Sequence, residues 1–195
     1  MNRPHLVLAS ASPTRLRVLQ LAGFDPTVHV SGVDETVPSD WDAAATVTAL
    51  AERKARAVAS SFPDSLVLGC DSVVAFGDDV LGKASSPTEA VEWWRAMRDR
   101  TVVVWTGQCL VHHGLTTART LSASVRLGHP SDEEIDAYVA TGEPMVAAGG
   151  FRLDGFGAPF VDAIDGDPGT VHGVSLPALR SMLQDAGHEV FELWR

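Results

Sequence analysis

The stretch LVLASASPTRLRVLQLAG, residues Leu6–Gly23, contains the change from a strand to a helix that decides the fold. The apolar run Leu6–Ala9 predicts a short strand. Ser12 followed by Pro13 predicts a helix start, because serine caps a helix N-terminus and proline fits its first turn. Leucines at helical spacing continue to Gly23, where glycine favours the helix end. A helix N-terminus presents backbone N–H groups without helical partners, so this turn predicts an anion site.

Side chains in the same turn suit a phosphate group. Ser10, Ser12 and Thr14 supply hydroxyl donors, and Arg15 supplies a guanidinium that matches phosphate oxygens. The stretch has neither the G-x-x-x-x-G-K-[ST] pattern of a P-loop nor the G-x-G-x-x-G pattern of a dinucleotide-binding turn. It therefore predicts a phosphate site of another design.

Composition and charge limit the class of protein. The 195 residues, 45% of them apolar and 21% charged, predict one globular domain over residues 1–195, or one fold with two lobes. The absence of a signal-like start and of an apolar run near 20 residues predicts a cytoplasmic protein with no membrane partner. Two cysteines, Cys70 and Cys109, are expected as core residues in a reducing compartment. A net charge of −10 argues against a nucleic-acid polymer as partner, although it allows a small anionic ligand.

The rest of the chain alternates helical and strand-like segments. A helical pattern runs from about Trp41 to Phe62, a buried-strand run follows at Ser65–Phe76, and a turn at Gly77 predicts a hairpin. Capping boxes beginning at Ser86 and Ser131 predict two further helices. Strands joined both by helices and by hairpins predict an α/β fold with a mixed sheet. Further strands are predicted at 29–33, 102–111, 120–126 and 189–194.

Asp71 is a carboxylate inside the otherwise apolar strand run. Burial of an unpaired carboxylate costs free energy, so such a residue is normally paired, bound to metal or catalytic. The alternative is that the strand ends at Asp71 and the side chain meets solvent.

Lys54 falls on the apolar face of the predicted 41–62 helix, seven residues after Val47 and four after Leu50. A lysine at such a position is a candidate site residue. The alternative is that its aliphatic stem packs on the core while the ammonium reaches water.

Other polar residues are weaker candidates when each is taken alone. Lys83 follows a glycine at a strand end, and Glu35 belongs to an acidic pair in a loop, where such residues are usually solvated. His112 and His113 are neighbours in a predicted strand. Because neighbouring strand residues point to opposite faces, they are expected at the surface and not as a metal-binding pair.

Seven fragments occur in order between Leu6 and about Gly187: LASASPTR, VDE, AERKARA, GCDSVV, LGK, TGEPMVAAGGF and GFGAPFVDAIDGDPGTVHGVSLPAL. Together they resemble the Maf family, which was first named for septum formation and is now understood as nucleoside triphosphate pyrophosphatases. The resemblance implies an α/β fold with an elongated mixed sheet and two lobes around a central cleft, as in inosine triphosphate pyrophosphatases. It also implies hydrolysis of a nucleoside triphosphate to the monophosphate and pyrophosphate with a divalent cation (Mg, Mn or Co), and a possible homodimer.

The resemblance also implies roles for individual residues. Asp71 matches the proposed proton acceptor, and Lys54 and Lys83 match two catalytic lysines that stabilise charge on the departing pyrophosphate. Glu35 and Asp71 are the expected metal ligands, because magnesium prefers oxygen. The expected substrate-binding residues are Ser10, Ser12, Thr14, Arg15, Ser72 and Asp154.

Four positions depart from the family pattern. Thr14 replaces the first arginine of the family's S-P-R-R, Ser72 replaces a threonine common in pyrimidine-preferring members, and Asp154 replaces a glutamine. In the family, the positions of Thr14, Ser72 and Asp154 are associated with the choice of base. Asp154 and the following GFG look more like the subgroup acting on 7-methylguanosine triphosphate, since a carboxylate accepts hydrogen bonds from guanine N–H groups. Ala84 stands where the family usually has proline.

Two other classes of function remain open at this point. One is a nucleotide-binding regulatory protein of cell division with little catalysis. The other is a sugar-phosphate or nucleotidyl transferase, which needs an acceptor pocket that the sequence does not locate. Asp71 favours the hydrolase, because a binder needs cations for the phosphates but no buried base.

Overall fold

The computed structural model describes residues 4–195, and within this range the chain forms seven strands and six α-helices. The strands are β1 Leu6–Ala9, β2 Thr27–Val28, β3 Leu66–Phe76, β4 Asp79–Leu81, β5 Thr101–His112, β6 Leu115–Leu127 and β7 Val161–Asp165. The α-helices are α1 Pro13–Leu21, α2 Ala43–Ala59, α3 Pro87–Met97, α4 Asp132–Ala140, α5 Pro168–His172 and α6 Leu176–Asp185. Short 3-10 helices lie at Glu143–Val146, Ala158–Phe160 and Val190–Leu193.

The strands pair in the order β2-β1-β3-β5-β6-β7, and β4 pairs with β3 outside this path. β1 runs parallel to both β2 and β3, whereas β4 and β7 run antiparallel to β3 and β6. The predicted α/β fold with a mixed sheet is therefore confirmed. Within residues 4–195, no helix combines the length and the apolar character needed to cross a bilayer.

The chain divides into two compact units. The first contains residues 4–71, 106–121 and 173–195. Its core packs α1 and α6 against β1 and β3, and buries Leu8, Leu68, Leu179 and Met182 completely. This burial follows from the apolar strand run and from the amphipathic helix that Ser175 caps at its start.

The second unit contains residues 72–105 and 122–172. Its core centres on Trp94, whose indole N–H donates to the Gly150 carbonyl at 2.8 Å. The Tyr138 ring packs edge-to-face against the same indole, with 5.3 Å between the ring centroids. The unit therefore has its own apolar core and a satisfied polar group within it.

Helix α2 lies unusually close to the strands beneath it. A Cβ atom on Gly69 of β3 would stand 2.3 Å from the Ala51 carbonyl oxygen, and one on Gly107 of β5 would stand 2.1 Å from the Val47 carbonyl oxygen. Only glycine leaves room for this approach. The two glycines thereby set the depth at which the buried face of α2, which includes Lys54, meets the sheet.

Three predictions about secondary structure were wrong in detail. The strand predicted at 29–33 is absent, because its partner β1 ends at Ala9 and leaves only Thr27–Val28 to pair. The strand predicted at 189–194 is the 3-10 helix Val190–Leu193, and only Trp194 makes a bridge, to Phe24. The capping box predicted at 86–89 is also incomplete.

At this helix start Ser86 caps α3 as expected, but the Glu89 carboxylate accepts hydrogen bonds from Ser85 and not from the backbone of Ser86. In a capping box this carboxylate would accept the backbone N–H of the N-cap residue Ser86. Here it accepts the N–H of Ser85, one residue earlier. The second box, between Ser131 and Glu134, is complete.

Replacing Gly69 by alanine is expected to destabilise the protein by about 3 kcal/mol, because the clashing atoms belong to backbone and cannot move aside. Gly82→Ala is the matched control, since nothing lies within 4 Å of the added methyl group. Urea unfolding of both variants measures the difference. Equal unfolding midpoints for the two variants would show that α2 can shift without cost.

Candidate active site

Lys54 of α2 reaches the acid of β3. Its Nζ donates to Asp71 Oδ1 at 2.6 Å and to Glu35 Oε1 at 2.7 Å. Lys54 and Asp71 are each only 7% exposed. The strand therefore does not end in solvent at Asp71, and the Lys54 ammonium points to carboxylates instead of water.

Glu35 lies in an exposed loop that Arg53 holds in place. The Arg53 guanidinium donates to the Thr36 carbonyl at 3.1 Å and to the Asp34 carbonyl on the other side of Glu35. Arg53 and Lys54 are consecutive on α2, so one helix positions both the loop and the ammonium that its carboxylate contacts. The role of Arg53 was not predicted, because an arginine on a helix has no distinguishing sequence pattern until the path of the loop is known.

Burial raises the pKa of Asp71 above its ordinary value of 3.8. The positive charges of Lys54 and Arg15 act in the opposite direction, and the Glu35 carboxylate adds to the rise. The effect of burial is the largest of these. Asp71 is therefore a stronger base than a solvated aspartate, and it takes up a proton more readily.

The turn before α1 forms as the sequence predicts. Ser12 is the N-cap, and its hydroxyl oxygen accepts the Arg15 backbone N–H at 3.4 Å. The Ser10 hydroxyl oxygen accepts from the Ser12 N–H at 3.2 Å and from Arg15 Nη1 at 3.0 Å. Arg15 also donates to the carbonyls of Cys70 at 2.9 Å and Gly173 at 3.0 Å.

Arg15 therefore holds the turn in place through hydrogen bonds, in addition to carrying a positive charge. It joins the turn to the residue that precedes Asp71 on β3 and to the segment that leads into α6. The Gly173 carbonyl is a second contact that sequence reasoning missed, because a backbone acceptor has no side-chain signature. Thr14 lies on the first turn of the same helix and is half-buried.

Asp154, in the second unit, is one half of an ion pair. Its carboxylate accepts Arg152 Nε at 3.0 Å and Arg152 Nη2 at 3.1 Å, in a two-pronged arrangement that favours charge-assisted hydrogen bonds. Asp154 is thus not an isolated acid, and Arg152 was not anticipated from the sequence.

Three more of the predicted positions lie in this second unit. Lys83 is exposed and makes a single antiparallel bridge to Ala148, and Ala84 is buried in the core. Ser72 follows the buried acid along β3 and is half-buried. The substrate and catalytic roles expected for Lys83 and Ser72 stay predictions.

Both cysteines are free and buried, as predicted. Burial raises the pKa of the Cys70 thiol to about 11 and that of Cys109 to about 12. Thiols with such pKa values hold their protons and are poor nucleophiles. Neither cysteine is therefore a candidate for covalent catalysis.

Comparison with known families agrees with the fold. The family model described as Maf-like protein matches residues 5–186. The chain belongs to the Maf family. The match includes the turn before α1, the buried Lys54–Asp71 pair and the Arg152–Asp154 pair.

Several relatives of this Maf chain carry the name nucleoside triphosphate pyrophosphatase. The protein from Streptomyces coelicolor is 49% identical over 197 residues, with 98% of this chain and 95% of that protein covered. The one from Saccharopolyspora erythraea is 46% identical, with 96% of each chain covered. A more distant relative from Synechocystis is 41% identical, with 98% of this chain and 99% of that protein covered.

Replacing Lys54 by methionine is expected to cost about 3 kcal/mol of stability, because it leaves the Asp71 carboxylate buried without its ammonium partner. The double variant Lys54→Met, Asp71→Leu removes both charges and is expected to recover most of this loss. Chemical denaturation of the wild type, both single variants and the double variant yields the coupling energy. Additive losses in the double variant would mean that the pair is not energetically coupled.

Proposed function

We propose that this Maf protein hydrolyses a nucleoside triphosphate to the monophosphate and pyrophosphate. The observation that carries the proposal is the buried Lys54–Asp71 pair, which the exposed Glu35 carboxylate joins through Lys54 and which Arg15 connects to the start of α1. The names of the relatives support the same reaction.

Asp71 is the proposed proton acceptor. Water attacks the α-phosphorus, its proton passes to the Asp71 carboxylate, and the bond to the bridging oxygen breaks as pyrophosphate departs. The raised pKa of Asp71 suits this step, because a base with greater proton affinity draws the proton from water more effectively. Lys54 holds Oδ1, which directs the carboxylate.

The turn before α1 is the proposed phosphate-binding segment. The Ser10 hydroxyl oxygen accepts two hydrogen bonds from within the turn, so its own hydrogen can be donated to a phosphate oxygen. The N-terminus of α1 adds the positive end of the helix dipole, and Ser12 and Thr14 add hydroxyl groups. Because Arg15 fixes this turn before substrate arrives, binding costs little reorganisation.

A divalent cation fits the donor set of this cluster. Glu35 Oε1 and Asp71 Oδ1 both contact the single Lys54 Nζ, so two carboxylates already converge on one positive charge. No group of three or more His, Cys, Asp or Glu side chains within residues 4–195 is arranged to hold a metal. Glu35 and Asp71 would therefore share magnesium, manganese or cobalt with the substrate phosphates and water, as is usual for magnesium. A bound cation would neutralise charge on the triphosphate.

The family resemblance assigns the remaining roles. We infer that Lys83 stabilises the leaving pyrophosphate, and that Thr14, Ser72 and Asp154 influence which base is accepted. Asp154 would present its acceptors to the base while Arg152 orients the carboxylate. The proposal includes a cytoplasmic protein, which the two free thiols favour, and a possible homodimer.

The change Asp71→Asn is expected to abolish pyrophosphate release while the variant stays folded. The amide oxygen of asparagine can still accept the Lys54 hydrogen bond, but an amide does not take up the proton. The assay follows pyrophosphate with canonical triphosphates and 7-methylguanosine triphosphate, each with magnesium, manganese or cobalt. Asp136→Asn, an exposed change on α4, is the matched control.

Each result of that assay has a definite meaning. Unchanged turnover in folded Asp71→Asn would remove Asp71 from the reaction. Tight triphosphate binding by the wild type without any release would favour the regulatory protein instead.

The pH profile tests the same group. Because burial raises the pKa of Asp71, the acid limb of kcat/KM is expected above pH 3.8, with activity rising as the carboxyl loses its proton. The folded state binds this proton more tightly than the unfolded state does, so the contribution of Asp71 to stability falls as pH rises through the raised pKa. The stability of Asp71→Asn relative to the wild type should therefore improve from acidic to neutral pH. Parallel stability profiles for the two proteins would contradict a raised pKa.

A further inference from the structure

A pair of histidines lies in the first unit, on elements that the proposed reaction does not use. His112 ends β5 and His188 follows α6, and their Nε2 atoms are 3.3 Å apart. The neighbouring His113 lies in the turn after β5 with φ of 47°, and its ring centroid is 4.0 Å from that of His112. The prediction that His112 and His113 point to opposite faces was therefore wrong, because the strand ends between them.

The partners of the outer ring nitrogens define the tautomer of both rings. His112 Nδ1 contacts the backbone carbonyl of Ser65 at 3.3 Å, and His188 Nδ1 contacts a Glu192 carboxylate oxygen at 3.2 Å. A carbonyl and a carboxylate can only accept, so each Nδ1 must donate a proton. A neutral imidazole with its proton on Nδ1 has a lone pair on Nε2. When both rings are neutral, their Nε2 lone pairs therefore face each other at 3.3 Å and repel unless a proton or a metal ion lies between them.

The geometry of the pair matches chelation of one ion. Two nitrogens that bind zinc at the usual length and tetrahedral angle are about 3.3 Å apart, and the observed separation is 3.3 Å. An end-on N–H···N hydrogen bond of that length would hold the ring centroids about 5.6 Å apart. The centroids are 5.1 Å apart with ring planes at 68°, so the ring axes meet at an angle.

The surroundings also suit a metal ligand. Histidines that bind metal usually donate their other N–H to a carboxylate or a backbone carbonyl, as His188 and His112 do with Glu192 and Ser65. The His188 side chain is 22% exposed, which leaves a route from solvent.

We propose that His112 and His188 bind one divalent transition-metal ion of the zinc class through their Nε2 atoms. Imidazole nitrogen suits zinc, nickel and copper, whereas magnesium prefers oxygen, so this site and the carboxylate cluster select different ions. Water completes the coordination, because no third side chain of the described chain joins the pair in a metal-binding group. The ion links the end of β5 to the segment that follows α6, so its binding stabilises the fold.

The decisive measurement is calorimetric titration of the untagged protein with zinc chloride in excess magnesium chloride. One zinc ion per chain is expected to bind and to raise the unfolding temperature. His112→Gln and His188→Gln are each expected to weaken zinc binding at least 10-fold, and Glu192→Ala about 10-fold, as losses of ligand and of ligand orientation do. His129→Gln, an exposed histidine of the second unit paired with Asp99, is the control and should bind zinc unchanged.

A measurement on the wild type removes dependence on variant folding. Long-range ¹⁵N–¹H spectra of the metal-free protein above pH 7 are expected to show both rings protonated at Nδ1, and zinc should then shift both Nε2 resonances. Absence of zinc binding in magnesium, zinc affinity unchanged in both histidine variants, or a neutral ring protonated at Nε2 would each overturn the proposal.

Discussion

The buried hydrogen-bonded ion pair between Lys54 and Asp71 is the constraint on which the site depends. Neither charge is stable alone in an apolar interior, and each is buried because the other is 2.6 Å away. The pair requires helix α2 to lie directly on β3 and β5, and Gly69 and Gly107 permit that approach. The two glycines therefore also determine where Lys54 meets the proposed general base Asp71.

A second set of contacts fixes the segments that surround the proposed substrate site. Arg15 gives hydrogen bonds to two carbonyls and a serine hydroxyl, which fixes the turn before α1 relative to the strand that carries Asp71. Arg53 does the same for the Glu35 loop through two carbonyls. Through these hydrogen bonds both arginines orient segments that carry the proposed phosphate-binding and metal-binding groups. In the proposed reaction, this arrangement would supply a polar environment that is organised before the substrate binds.

The two proposed metal sites differ in donor type. Glu35 and Asp71 supply carboxylate oxygens beside a buried ammonium, while His112 and His188 supply imidazole nitrogens whose outer N–H groups are already held. Oxygen donors favour magnesium and imidazole donors favour zinc-class ions. The two sites differ in what orients them as well: the Lys54 ammonium holds the carboxylates, and acceptor atoms hold the histidines.

Much of this structure could be predicted from the sequence, because it depends on residues that are close together in the chain. The Ser12 cap with Pro13, the burial of an acid in an apolar strand and a lysine on an apolar helix face depend on neighbours in the chain, so their patterns sufficed. Short strands were less predictable, because residues 29–33 lacked a pairing partner and 189–194 closed into a 3-10 turn. Only the tertiary structure joined Lys54 to Asp71, placed the Arg53 and Gly173 contacts, paired Arg152 with Asp154 and faced His112 toward His188. Those contacts join residues distant in the chain or on the path of a loop, and a linear pattern does not encode the distances between them.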